Sequence, residues 1–168
     1  MSEHDEDAFR AYAFARRAVL RRTAYLLCGD WHQADDLVQT TLVKLYVAWR
    51  RVRTAEELDA YTRRILTRCF LDERRRPWRR EAPVDHLADR PGSAASSEDV
   101  LDVRAALATL PRRQRATIVL RYWSDASVSE TADALGCSEG TVKSQSARAI
   151  ATLRGLLAEP ALVNEESP

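Results

Sequence analysis

Ser127-Val-Ser-Glu130-Thr-Ala132-Asp-Ala-Leu135-Gly136-Cys137-Ser138-Glu-Gly140-Thr141-Val142-Lys143-Ser144 is the stretch on which the fold turns. Ser127 with Glu130 three residues later is a capping box: the hydroxyl accepts from one orphan N–H, and the carboxylate reaches back to the other. The short helix so opened runs to Leu135 and stops at Gly136, the residue that most readily takes a left-handed helix end. Ser138 then caps a final helix that continues to about Leu157. Two helices joined by a tight, glycine-bearing turn make a helix-turn-helix.

On a wheel of 100° per residue, Val142, Ala149, Leu153, Leu156 and Leu157 of the last helix cluster on one side, which predicts its buried face. Lys143, Ser144, Ala147, Arg148 and Ala151 point the opposite way, with Arg154 near them. Small residues framed by Lys and Arg allow close approach into a DNA major groove, where long or acidic side chains would hold the helix off. An ordinary amphipathic surface helix would show a similar wheel. The capped helix before it and the Gly136 turn shift the balance to DNA binding.

Upstream, Pro111 sits at the start of a helix carrying Ile118, Val119 and Tyr122, where its missing N–H does no harm. Ser96 or Ser97 caps a shorter helix through Leu110. Glu81 to Ser97 holds three Pro or Gly residues, is acidic, and ends in Gly92-Ser93-Ala94-Ala95-Ser96-Ser97. With no apolar periodicity, it reads as a flexible linker between one domain at 8–80 and another at 98–160.

The first half is also helical. An apolar stripe of Phe9, Tyr12, Ala13, Val19, Leu20, Leu26 and Leu27 predicts one helix, or two shorter ones, ending at Gly29. Asp30, with Gln33 three residues on, caps a second, whose apolar positions are Ala34, Leu37, Val38, Thr41, Leu42, Leu45 and Trp49. Thr54 with Glu57 opens a third, with a buried face of Leu58, Tyr61, Ile65, Leu66, Cys69 and Phe70 and an end near Pro77. The expected fold class is therefore all-α, two small helical domains joined by a flexible linker.

Composition sets the wider bounds. The 168 residues are 45% hydrophobic and 30% charged, ordinary for a globular chain. No apolar run approaches the roughly 20 residues that span a bilayer, and the acidic, polar start does not resemble a signal peptide, so the expectation is a cytoplasmic chain without membrane insertion. Cys28, Cys69 and Cys137 are widely separated, with no CxxC or Cys/His cluster, so neither a metal site nor a disulfide framework nor a cofactor is expected. Arginine outnumbers lysine 24 to 2, as a GC-rich genome or phosphate binding would each produce. The net charge of +1 hides segregation: Met1–Val43 carries −2, Lys44–Arg80 +7, Glu81–Pro111 −4, Arg112–Pro160 +2 and Ala161–Pro168 −2. One strongly basic block on a near-neutral chain suits a polyanion.

With these residues in view, the second half resembles region 4 of bacterial sigma factors. The elements that carry the likeness are Leu110-Pro111-Arg-Arg-Gln114-Arg115, Leu120-Arg121-Tyr122, the capped helix from Ser127, and the tetrad Gly140-Thr141-Val142-Lys143. The first half resembles region 2 independently. Asp35-Asp36-Leu37-Val38-Gln39 with Leu45-Tyr46 and Trp49 is similar to the helix that grips the polymerase clamp, and Tyr61-Thr-Arg-Arg64-Ile65-Leu66 through Asp72-Glu73-Arg74-Arg75-Arg76 is similar to the helix facing the promoter −10 element. The order and the linker match the extracytoplasmic-function group, which keeps only these two regions.

The resemblance implies a non-enzymatic initiation factor whose partners are core RNA polymerase, through clamp and flap, and promoter DNA. An anti-sigma protein is a further expected partner. The −35 readers would be Lys143, Ser144, Ala147 and Arg148, with Thr141 placed for a phosphate at the helix N-terminus. The −10 region would be lined by Arg53, Leu58, Tyr61, Arg64, Ile65 and Arg68, with Arg75 and Arg76 on backbone phosphates; the Arg50-Arg51-Val52-Arg53 corner matches the family's base-capturing loop. Core polymerase would meet Asp36, Gln39, Thr40, Val43, Lys44 and Val47. Departures from the family pattern fall at Thr40 (usually Glu), Tyr61 (often Trp), Arg68 (often Asn), and Gln145 and Ser146 (often Arg and Leu), so promoter preference does not carry over.

Two other classes stay open at this stage. A stand-alone repressor or activator would use the helix-turn-helix but leave the Asp35–Trp49 helix and the +7 block unexplained. An enzyme would have to use His4, His32 and His86 with scattered carboxylates; Asp35-Asp36 near His32 is the best cluster, yet adjacent helix residues face different directions.

Overall fold

The computed structural model describes residues 2–52, 55–73 and 98–158. Among them the chain is all-α, with α1 (Glu3–Cys28), α2 (Trp31–Ala48), α3 (Ala55–Asp72), α4 (Glu98–Thr109), α5 (Arg112–Ile118), α6 (Val128–Leu135) and α7 (Glu139–Ala158). A 3-10 turn, Trp49–Arg51, follows α2, and a π-helical turn, Val119–Trp123, prolongs α5. The expected caps at Thr54, Ser96 and Ser97, the helix end near Pro77 and the linker at 81–97 lie outside the described residues. No helix among the described residues is long and apolar enough to cross a membrane.

α1 starts earlier than its apolar stripe. Ser2 and Asp5 form a reciprocal capping box at 3.2 and 3.3 Å, and Glu3, Asp5 and Glu6 suit the positive end of the helix dipole. Local capping thus extends the helix six residues ahead of Phe9, and it runs unbroken to Cys28 rather than as two pieces. Gly29 ends it at φ +78°, its N–H donating to the Tyr25 carbonyl at 2.7 Å. Asp30 then caps α2, accepting from the Gln33 N–H at 2.8 Å.

Six threonines (Thr23, Thr41, Thr62, Thr67, Thr117 and Thr131) are buried. Each hydroxyl donates to the carbonyl four residues back, at 2.7–2.9 Å, so the core accepts them without an orphan polar group. Polar ties then fix the first three helices. The Tyr12 hydroxyl of α1 donates to Asp59 of α3 at 2.9 Å and lies 3.0 Å from the Thr62 hydroxyl. Arg21 of α1 donates to both carboxylate oxygens of Asp35 of α2 from its Nε and Nη2, at 2.6 and 3.2 Å. Phe9, Tyr12, Tyr46 and Trp49 form an edge-to-face aromatic cluster where α1 meets the end of α2.

The two halves pack against each other, and one contiguous buried cluster runs through both, from Leu27, Leu66 and Phe70 to Leu107, Leu110 and Val142. Arginines of the second half close its rim. Arg115 of α5 donates to the Leu27 carbonyl at 2.8 Å. Arg112 lies over the Phe70 ring, 3.9 Å from its centroid, and donates to the Phe70 carbonyl. Both place a cation at the carbonyl end of a helix, where the dipole favours it. Arg104 of α4 donates to the Tyr25 hydroxyl at 2.8 Å; the Tyr25 ring stacks on Trp31 at 3.9 Å, and Arg21 covers the far face of that pair at 4.3 Å. Arginine richness alone had left a GC-rich genome and phosphate binding equally open. Here they serve as helix caps and interhelical ties.

Candidate nucleic-acid interface

The α6–α7 pair is built as its sequence implies. Ser127 and Glu130 make the capping box of α6, at 3.1 and 2.7 Å, and Gly136 ends it at φ +62°. Ser138 caps α7 by accepting from the Thr141 N–H at 3.1 Å. Val142 and Ala149 are fully buried beneath α7. Lys143, Ser144, Ala147, Arg148 and Ala151 are all exposed. On the helix wheel Ser144, Ala147 and Ala151 form the centre of that outer face, with Lys143 and Arg154 along one side and Arg148 along the other. Ser144 donates its hydroxyl to the Thr141 carbonyl at 3.0 Å, which leaves its oxygen lone pairs outward as an acceptor. Thr141 is half-buried, its hydroxyl 2.9 Å from that of Ser138. Leu156, expected inside, is 44% exposed, since it sits in the last turn of α7.

A second face lies on α3. Leu58, Tyr61, Arg64, Ile65 and Arg68 recur at three- and four-residue steps and form one stripe, opposite the fully buried Thr62, Leu66 and Phe70. Tyr61 carries the Arg64 guanidinium over its ring at 4.8 Å. Leu58, Tyr61, Arg64 and Ile65 are half-buried, and Ile65 packs against the core; the expectation that Leu58, Tyr61 and Ile65 belong to the buried face is thus only half met. Arg68 is exposed and donates to the Asp133 carbonyl of α6 at 3.3 Å. Arg63, one position from Arg64, pairs with Glu130 at 3.0 Å. Neither tie to α6 was legible in the sequence. Arg53, Arg75 and Arg76 lie outside the described residues.

The third face is on α2. Asp36, Gln39, Thr40, Val43, Lys44 and Val47 are all exposed and fall on one side of the wheel, opposite buried Ala34, Leu37, Val38, Thr41 and Leu45. Val43 and Val47, 60% and 80% exposed, stand at its centre with Tyr46 beside them, an apolar strip on an otherwise polar helix. Asp35 does not share it: its ion pair with Arg21 holds its carboxyl below the usual range. Among the described residues no group of three or more His, Cys, Asp and Glu residues is arranged to hold a metal ion.

These three faces are joined by likeness to known proteins. Residues 9–80 match the family model described as Sigma-70 region 2, and residues 101–153 match that described as Sigma-70, region 4. The chain is 37% identical over 155 residues to the RNA polymerase sigma-E factor of Streptomyces coelicolor, covering 87% of this chain and 84% of that one. It is 33% identical over 154 residues to the ECF RNA polymerase sigma factor SigM of Mycobacterium tuberculosis, covering 91% and 79%. Among solved structures it superposes on the sigma factor RpoE of Bartonella quintana, crystallised with the anti-sigma factor NepR, with a TM-score of 0.76 and 29% identity over 90% of this chain and 97% of that one. It also superposes on CnrH in complex with the cytosolic domain of CnrY, with a TM-score of 0.65 and 25% identity over 91% and 89%.

Proposed function

The chain belongs to the extracytoplasmic-function group of the sigma-70 family, and from that premise we propose how its faces divide the work of promoter recognition. It is an RNA polymerase sigma factor: it brings polymerase to promoters and takes part in transcription initiation. Residues 8–80 form the unit that binds the clamp and opens the −10 element, 98–160 the unit that reads the −35 element, and 81–97 the link between them.

The α7 face is the single observation that carries the DNA half of the reading. A centre of Ser144, Ala147 and Ala151 permits close approach to base edges, while Lys143 and Arg148 meet phosphates or bases on either side. Thr141 serves the phosphate at the N-terminus of α7, where unpaired N–H groups favour an anion. On α3, Tyr61 offers a ring for an unstacked base, and Arg64 and Arg68, together with Arg53, Arg75 and Arg76, neutralise the backbone of the melted strand; Leu58 and Ile65 line the floor. On α2, Val43 and Val47 provide the desolvated centre of the clamp contact, and Asp36, Gln39, Thr40 and Lys44 provide its polar rim.

The role is non-catalytic, since these side chains bind, position and separate strands while polymerase makes the bonds. Such a role sets the chain in the cytoplasm with its polymerase. An anti-sigma protein is a further partner, as in the crystallised complex of the sigma factor RpoE with the anti-sigma factor NepR. Permanganate footprinting of a supercoiled promoter with core polymerase tests the reading: −10 thymines become reactive only when the chain is added, and Tyr61→Ala removes that reactivity while core binding persists. Equal reactivity with core alone would refute it.

A further inference from the structure

The outward face of α1 is apolar where a surface helix is normally polar. Ala8, Ala11, Phe14, Ala15 and Ala18 follow one another at three- and four-residue steps and are all exposed, opposite buried Leu20, Thr23, Ala24 and Leu27. Phe14, 87% exposed, is the most exposed large apolar side chain among the described residues. None of the residues assigned to polymerase or to DNA lies on this helix, so those contacts do not account for it. Small residues let a second helix approach closely, and an aromatic ring at their centre is the usual anchor of a small interface.

The charges of α1 identify the occupant. Its first turns carry Glu3, Asp5, Glu6 and Asp7, and its second half carries Arg16, Arg17, Arg21 and Arg22. A helix of that pattern complements itself only when reversed. Parallel copies would set acid on acid and base on base, whereas antiparallel copies set acid on base. We propose that this face docks a second copy of the chain, the two α1 helices packing antiparallel about a two-fold axis between Phe14 and Ala15.

About that axis Ala11 of one copy is level with Ala18 of the other, and the two Phe14 rings lie side by side. Asp7 is level with Arg22, so the same ion pair closes both ends, as a two-fold contact requires. Arg16 and Arg21 are already committed to Asp59 and Asp35. Arg22 is exposed and makes no hydrogen bond or ion pair among the described residues. Asp7 meets Arg10 of its own helix at 3.5 Å, with side chains 69% and 72% exposed, a contact weak enough to give way. From Asp7 to Arg22 the face is about 22 Å long and about 10 Å wide. That is well short of the roughly 800 Å² each partner gives to a standard interface, so pairing is reversible and grows with concentration.

Sedimentation equilibrium of the full-length chain, from about 10 μM to about 1 mM, tests this. The mass of the wild type is expected to rise from that of one chain, 19.0 kDa, towards that of two. Phe14→Glu sets two like charges at the axis and should hold the chain monomeric throughout. The new carboxylate can pair with Arg10 and Arg17 on its own helix, so α1 should stay folded, which circular dichroism checks. Asp7→Arg and Arg22→Asp each oppose like charges and should weaken pairing roughly three- to tenfold. Asp7→Arg/Arg22→Asp should restore it, since the reversed pair is as complementary as the original. A wild type that stays monomeric at the highest concentration would overturn the proposal. So would pairing that survives Phe14→Glu, or a double reversal that pairs no better than either single one.

Discussion

At the scale of single residues, charge placement separates the faces. Lys143 and Arg148 flank the small centre of α7 and are both exposed. Replacing either with alanine should cost about 1–3 kcal/mol of promoter affinity and lower −35-dependent initiation, with core binding intact; loss of both together would show that the face is misassigned. Glu130 sits on the other side of the account. Its carboxyl lies below the usual value of 4.5, first because the Ser127 N–H donates to it, and further because the Ser127 hydroxyl and Arg63 favour the charged form. A depressed folded-state value means that its contribution is complete above about pH 4.5 and is lost as pH falls through that lower value. Acid titration should therefore destabilise the wild type more steeply below pH 4.5 than Glu130→Gln; parallel curves would contradict the assignment. Burial likewise pushes the Cys28 thiol up to about 11, so it should resist alkylation at pH 8 in the folded chain and react on unfolding.

At the scale of elements, ends were legible and interfaces were not. Capping is local chemistry, so Ser127 with Glu130, Gly136, Ser138, Gly29 and Asp30 announce their helix ends within four residues of sequence. Gly136 adopts φ +62° with no atom within 4 Å of a Cβ placed on it, so Gly136→Ala should cost roughly 1 kcal/mol from conformation alone and lower the melting temperature by about 2–4 °C; no shift would mean that the turn relaxes. The α2 face was legible too, because Val43 and Val47 break a polar stripe. Val43→Asp/Val47→Asp should weaken binding to core polymerase at least tenfold, measured by co-migration, while leaving the helices folded. The start of α1 at Ser2 was missed because a search for apolar periodicity passes over a helix held by its cap. The π-turn at Val119–Trp123, which leaves Tyr122 and Trp123 exposed, gave no local signal at all. Nor did the ties of Arg104, Arg112 and Arg115, since a guanidinium reaching a carbonyl tens of residues away carries no periodicity.

At the scale of the whole molecule, the sequence spoke of two units and a link, and the structure adds that the units share a core. The proposed order of faces along the chain, α2 for polymerase, α3 for the opened strand and α7 for the duplex, would distinguish an initiation factor from a lone helix-turn-helix protein. Such a protein would need neither the apolar strip on α2 nor the basic block from Lys44 to Arg80. The central claim is that this chain confers promoter selectivity on core polymerase, and run-off transcription on a mixture of templates, with and without the purified chain, tests it most directly. Defined transcripts from a limited set of promoters, appearing only when chain and core are both present, are the result predicted; equal transcription of all templates with and without the chain would contradict it.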